Sequence, residues 1–89
     1  MKPLQNNEKD NEYLISYKYI LGDMGIQMLV AINRGAHTKE AIQLLSGVSM
    51  ACINGRIPVL TSLDLIYIRN DEIYISQKGI EFLSLIKKF

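Results

Sequence analysis

The sequence predicts a mainly helical domain with one small β-hairpin, an α+β fold. Three observations carry this. Apolar residues recur at helical spacing in successive segments of the chain. Two short β-type runs, Leu65–Ile68 and Glu72–Ile75, are joined through the polar Arg69-Asn70-Asp71. Thr38, Ser49 and Ser76 each precede a helical segment as an N-cap. From Thr38 to Leu85 the order is helix, sharp turn, helix, two strands, helix.

With 89 residues the chain is one small domain, divided here into a loosely attached polar tail over 1–12 and a folded part over 13–89. In Met1–Glu12 only Leu4 stands out among Asn, Lys, Asp and Glu, and nothing there buries a face. Tyr13–Leu21 reads two ways. As a strand, Ile15, Tyr17, Tyr19 and Leu21 share a face. As a helix, Leu14, Tyr17 and Leu21 align at i, i+3 and i+7, with Asn11 as a cap, and the helix is the preferred reading. Either way the segment carries more apolar and aromatic surface than the rest of so small a domain can cover, so we expect it at a dimer interface.

Gly22-Asp23 breaks the pattern, and Asp23 is positioned to cap a helix through Met24, Ile26, Leu29, Val30 and Ile32. Gly35 ends that helix as a left-handed cap, and Ala36-His37 is an extended link. After Thr38, Ala41, Ile42, Leu44 and Leu45 form the expected inward stripe, and Ser46-Gly47 makes the turn. Behind Ser49 the inward positions are Ile53, Ile57 and Leu60. Pro58 removes the backbone bond to the Asn54 carbonyl, so the helix should bend or restart there. Ser76 caps the last helix, with Ile80, Leu83 and Leu85-Ile86 facing in.

From Met24 to Phe89 the chain resembles the winged-helix family of transcription regulators. The likeness rests on the helix-turn-helix Thr38–Ile42, Gly47-Val48-Ser49, Ile53, Ile57 and Leu60, on the exit Leu65-Ile66, and on Ile75-Ser76-Gln77-Lys78-Gly79-Ile80-Glu81-Phe82-Leu83. The last is similar to an ending common in those families. Asp64 stands where they usually carry Gly before the wing, and Asp adopts the left-handed conformation at some cost. A proline in the second helix of the turn motif is similar to PadR-type regulators and to some small viral winged-helix proteins. The run Ile53-Asn54, Ile57, Val59-Leu60 followed by the wing resembles a phage transcription-activator domain, of a kind that binds a sigma factor rather than DNA. The resemblance implies a winged helix-turn-helix whose second helix enters the major groove of double-stranded DNA.

On that reading the candidate DNA contacts are Thr38, Lys39, Ser49, Met50, Asn54, Arg56 and Arg69. Arg56 is the only charged side chain between Ser49 and Thr61, and arginine suits a bidentate contact to guanine. Asn54 has the geometry to read adenine, although capping a helix restarted after it is the favoured role. Thr38, Ser49 and Met50 lie at helix N-termini, whose N–H groups bind phosphate, but plain capping is the commoner role of such a Thr. Lys39 and His37 add phosphate contacts. Arg69 lies at the wing, beside the opposing acids Asp71-Glu72.

Charge is the difficulty. The chain carries a net +1, and from Tyr13 onward eight basic and six acidic side chains leave +2. So few phosphate contacts make a monomer weak and salt-sensitive, and a homodimer on a two-fold site doubles them. The one histidine and one cysteine make neither a disulfide nor a zinc site, and no cofactor is expected. Nothing nominates a nucleophile and base, so no enzyme is expected. No apolar run approaches the ~20 residues of a membrane span, and the polar N-terminus lacks a signal-peptide core, so a cytoplasmic location is expected. The expected protein is a homodimeric DNA-binding regulator of repressor type. The alternative is an interaction module of the same fold whose partner is a protein of the transcription machinery.

Overall fold

The computed structural model describes residues 12–88. The tail expected over 1–12 lies outside them except for Glu12, whose carbonyl accepts the Ser16 N–H and so starts a helical turn over 12–15. The proposed Asn11 cap is also outside. Four helices and a hairpin follow: α1 (Tyr17–Asn33), α2 (Lys39–Ser46), α3 (Met50–Ser62), β1 (Ile66–Arg69), β2 (Glu72–Ile75) and α4 (Gln77–Leu85). This is a mostly helical α+β fold, and among the described residues no single helix is long and apolar enough to cross a membrane.

Tyr13–Leu21 is helical, and the helical alignment is the one the core uses: Leu14, Tyr17 and Leu21 are buried. The break falls where the pattern breaks. Gly22 has φ 70° and ψ 179°, a conformation open almost only to glycine, and it kinks α1 into two pieces. Beyond it, Gly25, Met28, Leu29, Ala31 and Ile32 pack inward.

Three helices end in one device. The N–H groups of Gly35, Asp64 and Lys87 bond back three residues, and the N–H groups after them bond back five. All three residues have positive φ. This is the Schellman geometry, which satisfies the last carbonyls of a helix. Asp64 therefore occupies the left-handed position expected of it, at φ 63°. Helix starts are equally regular: Thr38, Ser49 and Ser76 accept the N–H groups of Ala41, Cys52 and Gly79.

The hairpin pairs Ile66 with Ile75 through Arg69 with Glu72, so β1 begins one residue later than expected and includes Arg69. Asn70 and Asp71 form the two-residue turn, both at positive φ as a type I′ turn requires. Leu65, Ile66 and Ile73 put the inner side of the hairpin into the core formed by α1, α3 and α4.

Some inward assignments differ. Leu44 and Leu45 are 84% and 57% exposed, and Ile42 alone of α2 is fully buried. The i+4 position after Ile42 belongs to Ser46, whose hydroxyl donates to the Ile42 carbonyl at 2.5 Å and accepts the Val48 N–H at 3.1 Å. The chain turns there, which leaves the Leu44-Leu45 flank uncovered. In α4 the buried set is Gly79, Phe82 and Leu83, while Ile80 is exposed. Gly79 sets this face, because it lies against the backbone of Leu65.

Helix α3 runs through Pro58 without restarting, so Asn54 is mid-helix and caps nothing. Asn54 and Pro58 are both exposed, so water reaches the carbonyl that Pro58 leaves without a donor. Ile53, Ile57 and Leu60 anchor the helix on both sides of it.

Two glycines in helices should respond oppositely to alanine. A Cβ at Gly79 would overlap the Leu65 carbonyl oxygen and lie 2.7 Å from Ile75 Cγ1. Gly79→Ala is expected to cost at least about 2 kcal/mol. A Cβ at Gly55 meets nothing within 4 Å, so Gly55→Ala is expected to stabilise by about 0.5–1 kcal/mol. Denaturant unfolding of the two variants checks the pair.

Candidate nucleic-acid interface

Helices α2 and α3 meet at a 112° bend. Gly47, at φ 75°, turns the chain, and Val48 is buried beneath the turn. The bend brings the start of α2, one flank of α3 and the hairpin around a common cleft. Thr38, Lys39 and Glu40 line one side, Ile57 the floor, and Ile68, Asp71 and Ile73 the other side.

The extended link before α2 is tied to the hairpin. The Ile73 N–H donates to the His37 carbonyl at 2.8 Å. His37 Nδ1 lies 2.7 Å from the Ile73 carbonyl. A carbonyl only accepts, so the ring proton there sits on Nδ1. The His37 ring packs on Tyr74 at 4.4 Å between centroids, Tyr74 stacks on Tyr67 at 5.6 Å, and the Arg69 guanidinium lies 5.8 Å from the Tyr67 ring. A ladder of four flat groups thus runs from the link to the hairpin tip. The Tyr74 hydroxyl donates to Glu72 Oε1 at 2.6 Å, and this carboxylate raises the tyrosine pKa above its ordinary value. Tyr67 and Tyr74 are direct cross-strand partners. His37 positions the hairpin, a role that a lone histidine in a link does not announce in the sequence.

The residues singled out from sequence fall into three places. Thr38 and Ser49 cap α2 and α3 with their hydroxyls, and both are exposed. Lys39 is exposed beside the cleft, and Met50 is partly buried against the core. Arg69 sits at the end of β1 opposite Glu72. Asn54 lies on the exposed stripe of α3 with Ala51, Gly55, Pro58, Thr61 and Ser62, none of which is charged.

Arg56 is elsewhere. It lies on the flank of α3 that faces α1, as does Cys52, whose thiol is 3.5 Å from Met24 Sδ. A Cβ built on Gly25 would lie 3.7 Å from Arg56 Cδ, so the arginine stem runs along the glycine of α1. Its Nε is buried with no hydrogen-bond partner among the described residues. A Cβ at position 25 would crowd Leu21 at 3.0 Å and only touch the arginine stem, a contact legible in the sequence only once the two helices are known to cross.

The charges around the cleft nearly cancel: Lys39 and Arg69 face Glu40, Asp71 and Glu72. Among the described residues no group of three or more His, Cys, Asp or Glu side chains is placed to hold a metal ion. Comparison of the chain with protein-family models, with curated proteins and with solved structures finds no match.

Pro58 is fully helical and solvent-facing, so its cost is local. Pro58→Ala restores the donor to the Asn54 carbonyl and is expected to stabilise the domain by about 1–3 kcal/mol. A thermal melt showing no rise in midpoint would mean that this segment of α3 is not a regular helix in solution.

Proposed function

We propose that the chain is a winged helix-turn-helix module of transcription regulation that binds duplex DNA as a homodimer in the cytoplasm. The observation that carries this reading is the 112° bend between α2 and α3 followed directly by the hairpin. Helix-turn-helix units cross at about 90–120°. In this frame α3 is the recognition helix. Its exposed stripe is made of small side chains, which lets the backbone approach base edges closely, and Asn54 is the residue on it equipped to read adenine. Lys39 and Arg69 flank the helix and reach phosphates, helped by the free first-turn N–H groups of α2 and α3. Arg56 contributes to base contact only by swinging out of its seam with Gly25. The module binds and positions; it carries out no catalysis.

The uncharged stripe on α3 favours a second reading. A face with no positive charge fits a protein of the transcription machinery better than a polyanion, because phosphate neutralisation supplies most non-specific DNA affinity.

Selection of bound sequences from random duplex DNA at low salt separates the two. DNA binding predicts an enriched two-fold motif, altered at one base pair per half-site by Asn54→Ala. Replacing Lys39 and Arg69 by Ala together should weaken all sequences alike and lower the salt dependence by about two counter-ions per protomer. Absence of any enriched motif assigns the face to a protein partner.

A further inference from the structure

Helix α1 carries a second surface, away from its buried side. Asp23, Ile26, Gln27, Val30 and Arg34 follow one another at i, i+3, i+4, i+7 and i+11, the spacing of a helix–helix seam. Together with Leu45 and Ser46 of α2 and Lys88 beyond α4, which adds a second cation, they line an open groove of about 690 Å³. Ile26 and Val30 are only partly buried, and Leu45 is one of the leucines left uncovered by the turn. The stripe is thus apolar in the middle, acidic at its start and basic at its end.

We infer that this groove is the homodimer seam, occupied by α1 of a second copy running antiparallel about a two-fold axis. Charge selects this occupant. An isologous contact requires that one surface complement itself. An axis crossing α1 midway between Asp23 and Arg34 sets Asp23 of each copy against Arg34 of the other, with Gln27 opposite Val30. The two ion pairs lie about 16 Å apart, the rise of eleven helical residues, and enclose the apolar stretch. Arg34 also has an interaction within its own chain, which the second copy's Asp23 would join. A parallel arrangement would put like charges together at both ends. The segment Tyr13–Leu21, where the sequence places the dimer contact, has no such self-complementarity: Lys18 is its one charge, with no acid to meet it. Its Leu14, Tyr17 and Leu21 are also already buried within their own chain.

The seam lies outside the helix-turn-helix cleft and goes beyond the reading of what that cleft binds. The test is sedimentation equilibrium of the full chain without DNA, over a wide concentration range. The wild type should pass from monomer to dimer. Asp23→Arg and Arg34→Asp each turn both ion pairs into like-charge pairs and should weaken association about tenfold or more. An equal mixture of the two variants should associate again, because every introduced charge then meets its opposite. Both positions are exposed, and circular dichroism shows whether the variants stay folded. A chain monomeric at every concentration, single variants that dimerise like the wild type, or a mixture no tighter than its components would each overturn the seam. Loss of the seam would show in the free protein, whereas failure of the DNA reading would show in sequence selection with the dimer intact.

Discussion

The backbone of Leu65 is the constraint on which the rest of the domain depends. Its N–H donates to the Leu60 carbonyl at 3.0 Å and ends α3, and its carbonyl accepts the Ser76 N–H at 2.9 Å and starts the return into α4. Its side chain is fully buried, and Gly79 lies against its carbonyl. One peptide unit therefore sets where α3 stops, where the hairpin begins and how closely the last helix approaches. Ser76 adds a second tie, its hydroxyl donating to the Asp64 carbonyl at 2.7 Å. An isolated two-stranded hairpin is marginal in water. Here its base is held by Leu65 and Ser76, and its outer strand by the bond from Ile73 to His37.

Those ties give the cleft its shape without giving it a charge. The hairpin is held at a fixed height above α2 by the His37–Ile73 exchange, and the aromatic ladder stiffens the strand pair that carries Arg69. Lys39 and Arg69 face three acids, so attraction to a polyanion is weak per protomer. Doubling the site in a two-fold dimer is the physical remedy, and the seam proposed on α1 would supply it. The functional proposal and the dimer seam are consistent in this respect while resting on separate residues.

Much of the fold was legible in the sequence because local chemistry and global packing agree. Thr38, Ser49 and Ser76 announce helix starts, and Gly22, Gly35 and Gly47 announce breaks; all six act as expected. The Leu14, Tyr17 and Leu21 spacing distinguished helix from strand in an ambiguous segment. What was not legible depended on tertiary geometry. Leu44 and Leu45 have the right spacing to face inward, but a turn two residues later removes whatever would cover them. Ile80 loses the core to Phe82 because the approach of Gly79 to Leu65 rotates the buried face. Pro58 leaves the helix intact because the unpaired carbonyl faces water. For the candidate site, periodicity placed Asn54 on α3 but could not tell its exposed stripe from the flank where Arg56 meets Gly25, since that distinction needs the crossing of α1 and α3.

Among the described residues the core contains no buried polar or charged side chain. Specificity for one topology must then come from the backbone devices at the element ends, not from a polar network within. Interchange of Ile, Leu, Val and Met in such an interior is tolerated when volume is kept. Over evolutionary time the interior of this domain is therefore free to drift, while the caps, the left-handed residues and the glycine against Leu65 are held. Descendants of this chain would keep its outline in a handful of Ser, Thr, Gly and Asp positions long after their core letters had diverged.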